Sequence, residues 1–157
     1  MAKPDEFLTQ CRFYWSSDKV TEKVIREIKG IQTESPVASK MDPVGCDRYG
    51  QHIWQATPTL EKNTEVTIKF VSSNDKDVWE WYSKTNQYGQ QGNQWKDYPG
   101  RQDVTIQAFK QDSQVAATWV LEKCYPRKYS APDFNSAGTE WAYETVVLVY
   151  ENFKRTE

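Results

Sequence analysis

Apolar and polar positions alternate along most of this chain with a period of two, the spacing of a strand with one buried face. Val66, Ile68 and Phe70 face away from Thr67, Lys69 and Val71. Val104, Ile106 and Ala108 oppose Thr105, Gln107 and Phe109. Val115, Ala117, Trp119 and Leu121 oppose Ala116, Thr118, Val120 and Glu122. Asp112 and Ser113 are turn formers, so residues 110–114 join the last two runs as a hairpin. Near the start, Cys11, Phe13 and Trp15 alternate with Arg12 and Tyr14. Residues 140–153 read as the last and longest strand. The alternation places Trp119 inside the fold, supported by Val104, Ile106 and Leu148, and gives Trp15 and Trp141 core positions as well. One window has a different period. Val78, Trp81 and Tyr82 recur at i, i+3 and i+4, flanked by Trp79, and predict a helix over residues 75–85. Ser73, Asn74 and Asp75 supply its capping chemistry.

Between the first two strand signals the pattern is poor. Residues 24–31 mix apolar and charged positions, and Gly30 permits a bend or bulge. Residues 32–39 continue extended, with Pro36 marking an edge strand. Residues 40–50 contain Pro43, Gly45 and Gly50 and read as a loop, and residues 52–57 form a short strand ended by Pro58. Two extended segments around a loop predict a hairpin arm over about residues 24–54. Residues 87–100 and 126–138 read as loops. The resulting fold class is mainly β: an antiparallel barrel or sandwich of about eight strands, one flanking α-helix and an extended β-hairpin arm. A length of 157 residues without repeats or a low-complexity linker predicts a single domain over 1–157.

Composition narrows the function classes. Aromatics make up 14% of the chain, including seven Trp, yet mean hydropathy is −0.85. That mixture suits half-buried strands better than fully buried helices. Twenty basic and 22 acidic residues give a net charge of −2, so no global field favours nucleic acid or an anionic membrane. Residues 1–5 lack a signal pattern, and no run approaches the ~20 apolar residues of a membrane span. Cys11, Cys46 and Cys124 are odd in number and form no CxxC pair, so free thiols in a reducing compartment are expected. His52 is the only histidine and cannot build a zinc site alone. No metal and no cofactor is expected.

Three sharper readings compete with a structural one. Glu140, Glu144 and Glu151 could be the paired carboxylates of a glycoside hydrolase. Parity along one strand puts Glu140 and Glu144 on one face and Glu151 on the other, whereas a hydrolase draws its pair from facing elements. Polar strand-face and interface charge is the expected role, and no enzyme is expected. A carbohydrate-binding β-sandwich would use rings such as Trp54 and Trp95, which lie in or near loops. An oligonucleotide-binding barrel would want a basic groove. Here Arg12, Lys19, Lys23, Arg26 and Lys29 are interleaved with Asp18, Glu22 and Glu27, and the charges largely cancel.

The C-terminal half carries a family pattern. Arg101-Gln102-Asp103-Val104 opens it, and a hairpin leads to Trp119 and then to Tyr125-Pro126-Arg127-Lys128-Tyr129. Pro132-Asp133-Phe134-Asn135 follows, then Glu140-Trp141-Ala142-Tyr143-Glu144, then Tyr150-Glu151. This resembles the tail-tube proteins of contractile phage tails and of phage-tail-like contractile injection systems. The matching positions are Trp119, Tyr125, Pro126, Lys128, Glu140, Ala142, Glu144, Tyr150 and Glu151. Upstream, Lys29-Gly30-Ile31 and Val78-Trp79-Glu80-Trp81-Tyr82 match more weakly. Residues 41–49 and Phe70-Val71-Ser72-Ser73 depart from the family's usual Tyr-x-x-Gly, Pro-Gly and Arg-Gly signals.

The resemblance implies a structural subunit that closes into homohexameric rings and stacks around a lumen. Its arm, through Ile31, Gln32, Thr33, Glu34 and Val37, would reach the neighbouring ring. The implied partners are further copies of the chain, contractile sheath subunits, baseplate or spike proteins and tube-terminating proteins. Cargo or DNA would pass through the lumen without specific recognition. The implied location is the bacterial cytoplasm during assembly, then a phage virion or tail-like particle. A tube-initiating subunit at the baseplate would look the same at this level.

Overall fold

The computed structural model describes residues 7–17, 20, 23–38, 42–60, 62–86 and 101–156. Eleven strands and one helix occur among them. In chain order they are β1 (Phe13–Ser17), β2 (Ile25–Lys29), β3 (Thr33–Glu34), β4 (Gly45–Cys46), β5 (His52–Ile53), β6 (Lys62–Asn63), β7 (Glu65–Val71), α1 (Asp77–Asn86), β8 (Gln102–Phe109), β9 (Val115–Ser130), β10 (Tyr143–Val149) and β11 (Asn152–Arg155). The expected loop at residues 87–100, with Trp95, lies outside the described residues.

Seven strands form one antiparallel sheet in the order β1-β8-β9-β10-β7-β2, with β11 also pairing with β9. The expected parities of the central strands are observed. Val66, Ile68 and Phe70 on β7 and Val104 and Ile106 on β8 are buried, and on β10, for which the sequence pattern sets no apolar parity, Val146 and Leu148 are buried too. Both halves of the sheet send side chains into one core, which Trp15 of β1 joins. α1 packs on β9 and adds Val78 and Trp81 to that core, the i and i+3 positions of its apolar stripe. Asp75 caps the first turn by accepting from the Asp77 N–H at 3.1 Å. Its other oxygen lies 2.8 Å from Nζ of Lys23, a buried lysine that ties the stretch before β2 to the start of the helix.

β9 is the spine of the fold, and its shape departs from the expected one. It runs 16 residues, through Pro126 to Ser130, where a loop was expected. Its first part pairs with β8 and β11 and its second part with β10. Between them, Glu122 and Lys123 oppose the single residue Asp103. Lys123 takes φ +53, and its N–H donates to the Asp103 carboxylate at 3.2 Å. This bulge bends the strand and shifts its parity by one residue. The buried positions accordingly run Ala117 and Leu121, then Cys124 and Pro126. Pro126 has no N–H to donate, and the ladder to β10 shifts register beside it, between Val147 and Leu148.

Three further expectations change. The single strand over 140–153 is two strands, β10 and β11, separated by Tyr150 and Glu151. Glu140 and Trp141 precede β10, so Glu140 shares no strand face with Glu144, and Trp141 is exposed rather than in the core. Trp119 keeps the core-facing parity of Ala117 and Leu121 but is only half-buried, because the sheet does not close over it.

Candidate assembly surfaces

The two outer strands of the sheet, β1 and β2, leave an open groove of about 640 Å³ between them. Its floor is apolar, from Phe13, Ile28, Ile31, Ile106 and Trp119, and its rim carries Arg12, Arg26 and Lys29 against Glu27. This groove is why Trp119 is half-buried. Among the described residues no further strand pairs with the outer edges of β1 and β2, and such edges invite pairing with another chain.

The second surface is an arm whose described residues are 31–38, 42–60 and 62–64. Gly30 marks its root, with φ +85, and a Cβ there would meet the Glu65 carbonyl oxygen at 2.4 Å. Only glycine fits a left-handed position pressed against another backbone. Beyond it, β3 pairs with β6, Val37 pairs with Pro58, and β4 pairs with β5 at the far end. Residues 25–29, placed in the arm by the sequence pattern, instead belong to the main sheet through β2 and β7, while the return leg extends to residue 63. The far turn is ordered by Asp47, whose carboxylate accepts from the Tyr49 and Gln51 N–H groups at 2.8 and 3.0 Å. Val44, Tyr49, Ile53, Trp54 and Leu60 are all exposed here, so the arm carries apolar surface and, among its described residues, no buried apolar side chain.

The arm residues singled out from sequence fall at its root. Ile31 packs partly against the core, and the Gln32 carbonyl accepts from the Tyr150 hydroxyl. Thr33 and Glu34 are exposed on β3, and Val37 is half-buried at its bridge. Tyr150, a motif position, is thus the buried side chain that ties the body to the arm. Glu151, the next motif residue, pairs with Arg101 and lies 3.7 Å from Lys123 at the β9 bend. The guanidinium of Arg101 also lies over the Tyr125 ring at 5.3 Å, so Arg101, Tyr125 and Glu151 form one cluster.

Glu144 and Tyr129 are joined by a hydrogen bond from the phenol to the carboxylate. Burial and then this bond push the Tyr129 hydroxyl up to about 12. Tyr129 also meets Trp79 and Tyr82 of α1 at 5.4 and 6.4 Å between ring centroids. The Ala142 carbonyl accepts from the Ser72 N–H at 2.9 Å, while Lys128 and Glu140 are exposed and touch neither cluster. The motif therefore separates into contacts that hold the body together and side chains that face outward. Sequence parity missed both the groove and the exposure of Phe134 and Trp141 on the β9–β10 connection. No group of three or more metal-ligating side chains occurs among the described residues, and no helix among them is long and apolar enough to cross a membrane.

Comparison with known proteins places this geometry. The family described as T4-like virus tail tube protein gp19 matches residues 9–154. A chain from the sheath-tube complex of an extracellular contractile injection system, PVC, superposes with TM-score 0.72 at 15% identity, covering 95% of this chain and 90% of that one. A chain from the tube-terminating cap of the anti-feeding prophage gives 0.74 at 16%, covering 99% and 95%. Hcp1 from Flavobacterium johnsoniae gives 0.58 at 12%, covering 92% and 94%. No curated protein sequence matches.

Proposed function

Because the chain belongs to the T4-like virus tail tube protein gp19 family, a structural and non-enzymatic family of contractile tails and injection systems, we propose that six copies close into a ring and that rings stack into a hollow tube. The observation that carries this reading is the arm: its Val44, Tyr49, Ile53, Trp54 and Leu60 are exposed apolar side chains. Ring closure would cover the outer strands β1 and β2, and stacking would cover the arm. Ile31, Gln32, Thr33, Glu34 and Val37 set the arm's departure angle toward the next ring. Lys128 and Glu140 are the outward motif positions, Trp119 lies on the groove floor, and all three are assigned to subunit contacts. Tyr125, Pro126, Ala142, Glu144, Tyr150 and Glu151 hold the body in the shape those contacts need.

The partners proposed are further copies of the chain, sheath subunits, baseplate or spike proteins and a tube-terminating protein. Similar chains come from a sheath-tube complex, a tube-terminating cap and a baseplate, which supports that set. The lumen passes cargo or DNA without recognising it, and the protein assembles in the bacterial cytoplasm before entering a phage or tail-like particle. Amide hydrogen exchange tests the arm's role. Amides of residues 31–38 should exchange quickly in dissociated protomers and slowly in assemblies, since an isolated two-stranded hairpin is marginal in water. Equal protection in both states would remove the arm from the stacking contact.

A further inference from the structure

The far end of the arm brings together two side chains that the sequence leaves six positions apart. Cys46 and His52 are cross-strand partners on β4 and β5, and their side chains share one face. The Cys46 Sγ lies 3.7 Å from Nδ1 of His52. Two ligands of one tetrahedral zinc ion, at the usual Zn–S and Zn–N lengths, sit about 3.5 Å apart. Both side chains are exposed, so a cation reaches them freely. The turn between them is held at the Asp47 carboxylate by two backbone N–H bonds and at the Asp47 carbonyl by the Gly50 N–H, 3.1 Å away. The turn therefore keeps the two ligand-bearing strand ends in register, though it does not hold the rest of the arm's strands together.

The geometry points to Cys46 and His52 as a bidentate site for a thiophilic divalent cation of the zinc class, clipping the two strands of the arm together. The donor set, one thiolate and one imidazole, suits zinc rather than magnesium or calcium. Solvent fills the remaining positions. Binding exchanges the Cys46 S–H proton for the metal, and that proton leaves to water, so affinity rises with pH. The arm has a reason to need a clip. Its described residues include no buried apolar side chain, and two strands alone hold together poorly. A metal bridge across β4 and β5 closes the short loop of residues 46–52 at the point farthest from the body.

Cobalt(II) is the probe, because a thiolate bound to it gives a near-ultraviolet charge-transfer band, and zinc should then displace it. Wild-type protein at low concentration should develop the band with one equivalent bound. Cys46→Ser should abolish the band, and His52→Ala should weaken binding at least about tenfold, the loss that even an outer-sphere partner produces. Cys11→Ser should change nothing, which separates this site from the other exposed thiol. In parallel, zinc should slow amide exchange at residues 44–53 in wild type and not in either site variant. A band that survives Cys46→Ser, one that His52→Ala leaves at full affinity, or zinc binding without any change in exchange at residues 44–53 would each overturn the assignment.

Discussion

Gly30→Ala is the substitution that most sharply tests how the arm joins the body. Two costs add. The residue sits at φ +85, where a β-carbon costs about 1–2 kcal/mol. That β-carbon would also lie 2.4 Å from the Glu65 carbonyl oxygen, a backbone atom at the start of β7 that cannot rotate away. Relief requires shifting Glu65, which pairs with Val149, and losing one ladder hydrogen bond costs about 1 kcal/mol. The sum is about 2–3 kcal/mol, a large part of the roughly 5–15 kcal/mol that holds a domain folded. For a chain of this size it should lower Tm by roughly 4–12 °C. Thermal unfolding of dissociated protomers, followed by circular dichroism, reads this without contributions from assembly. Gly45→Ala is the control. It stands on the arm with nothing within 4 Å of the added carbon, so its effect should stay within about 0.5 kcal/mol. Equal melting of the two variants would show that the arm root is not the constrained junction described here.

Trp81→Ala should cost about 3–5 kcal/mol, because that side chain is 2% exposed, while Trp119→Ala should cost clearly less, because its ring lies on the floor of the open groove; urea unfolding of the two proteins would expose a reversed order. Cys124 is buried, and burial followed by the nearby Asp103 pushes its thiol up to about 12. A thiol reagent at mild alkaline pH should therefore label Cys11 and Cys46 quickly and Cys124 only on unfolding. The hydrogen bond and charge of Lys23 hold the Asp75 carboxyl below the usual 3.8. A depressed carboxylate stabilises above its unfolded value, and that contribution is lost as pH falls through the lower folded one. The stability gap between wild type and Asp75→Asn should be full at neutral pH and shrink below about 4; a gap that grows on acidification would reverse the sign.

β7 and β8 were legible because they follow a strict period of two with one face buried, whereas β10 showed only as a strand-length apolar run. The helix was legible because Val78 and Trp81 break that period. Legibility ended where backbone irregularity resets the parity. Nothing in Glu122-Lys123 announces a bulge, since lysine is a poor prior for a positive φ. Its consequence, a switch from Leu121 to Cys124 on the buried face, made the second half of β9 look like loop. Pro126 strengthened that reading, although the register shift beside Val147 accommodates it. The open groove could not be read at all, because it depends on which strands end the sheet, and strand order is a long-range property. The family motif pointed to Tyr150 and Glu151 without giving their roles. The structure supplies these as the hydrogen bond to Gln32 and the ion pair with Arg101.

Negative-stain electron microscopy of the purified protein tests the central claim most directly. A tube protomer with uncovered outer strands and an uncovered arm should give hollow rings with six-fold symmetry in end view and stacked rings in side view. Protein that stays a strict monomer at high concentration, with no ring in any preparation, would contradict the account.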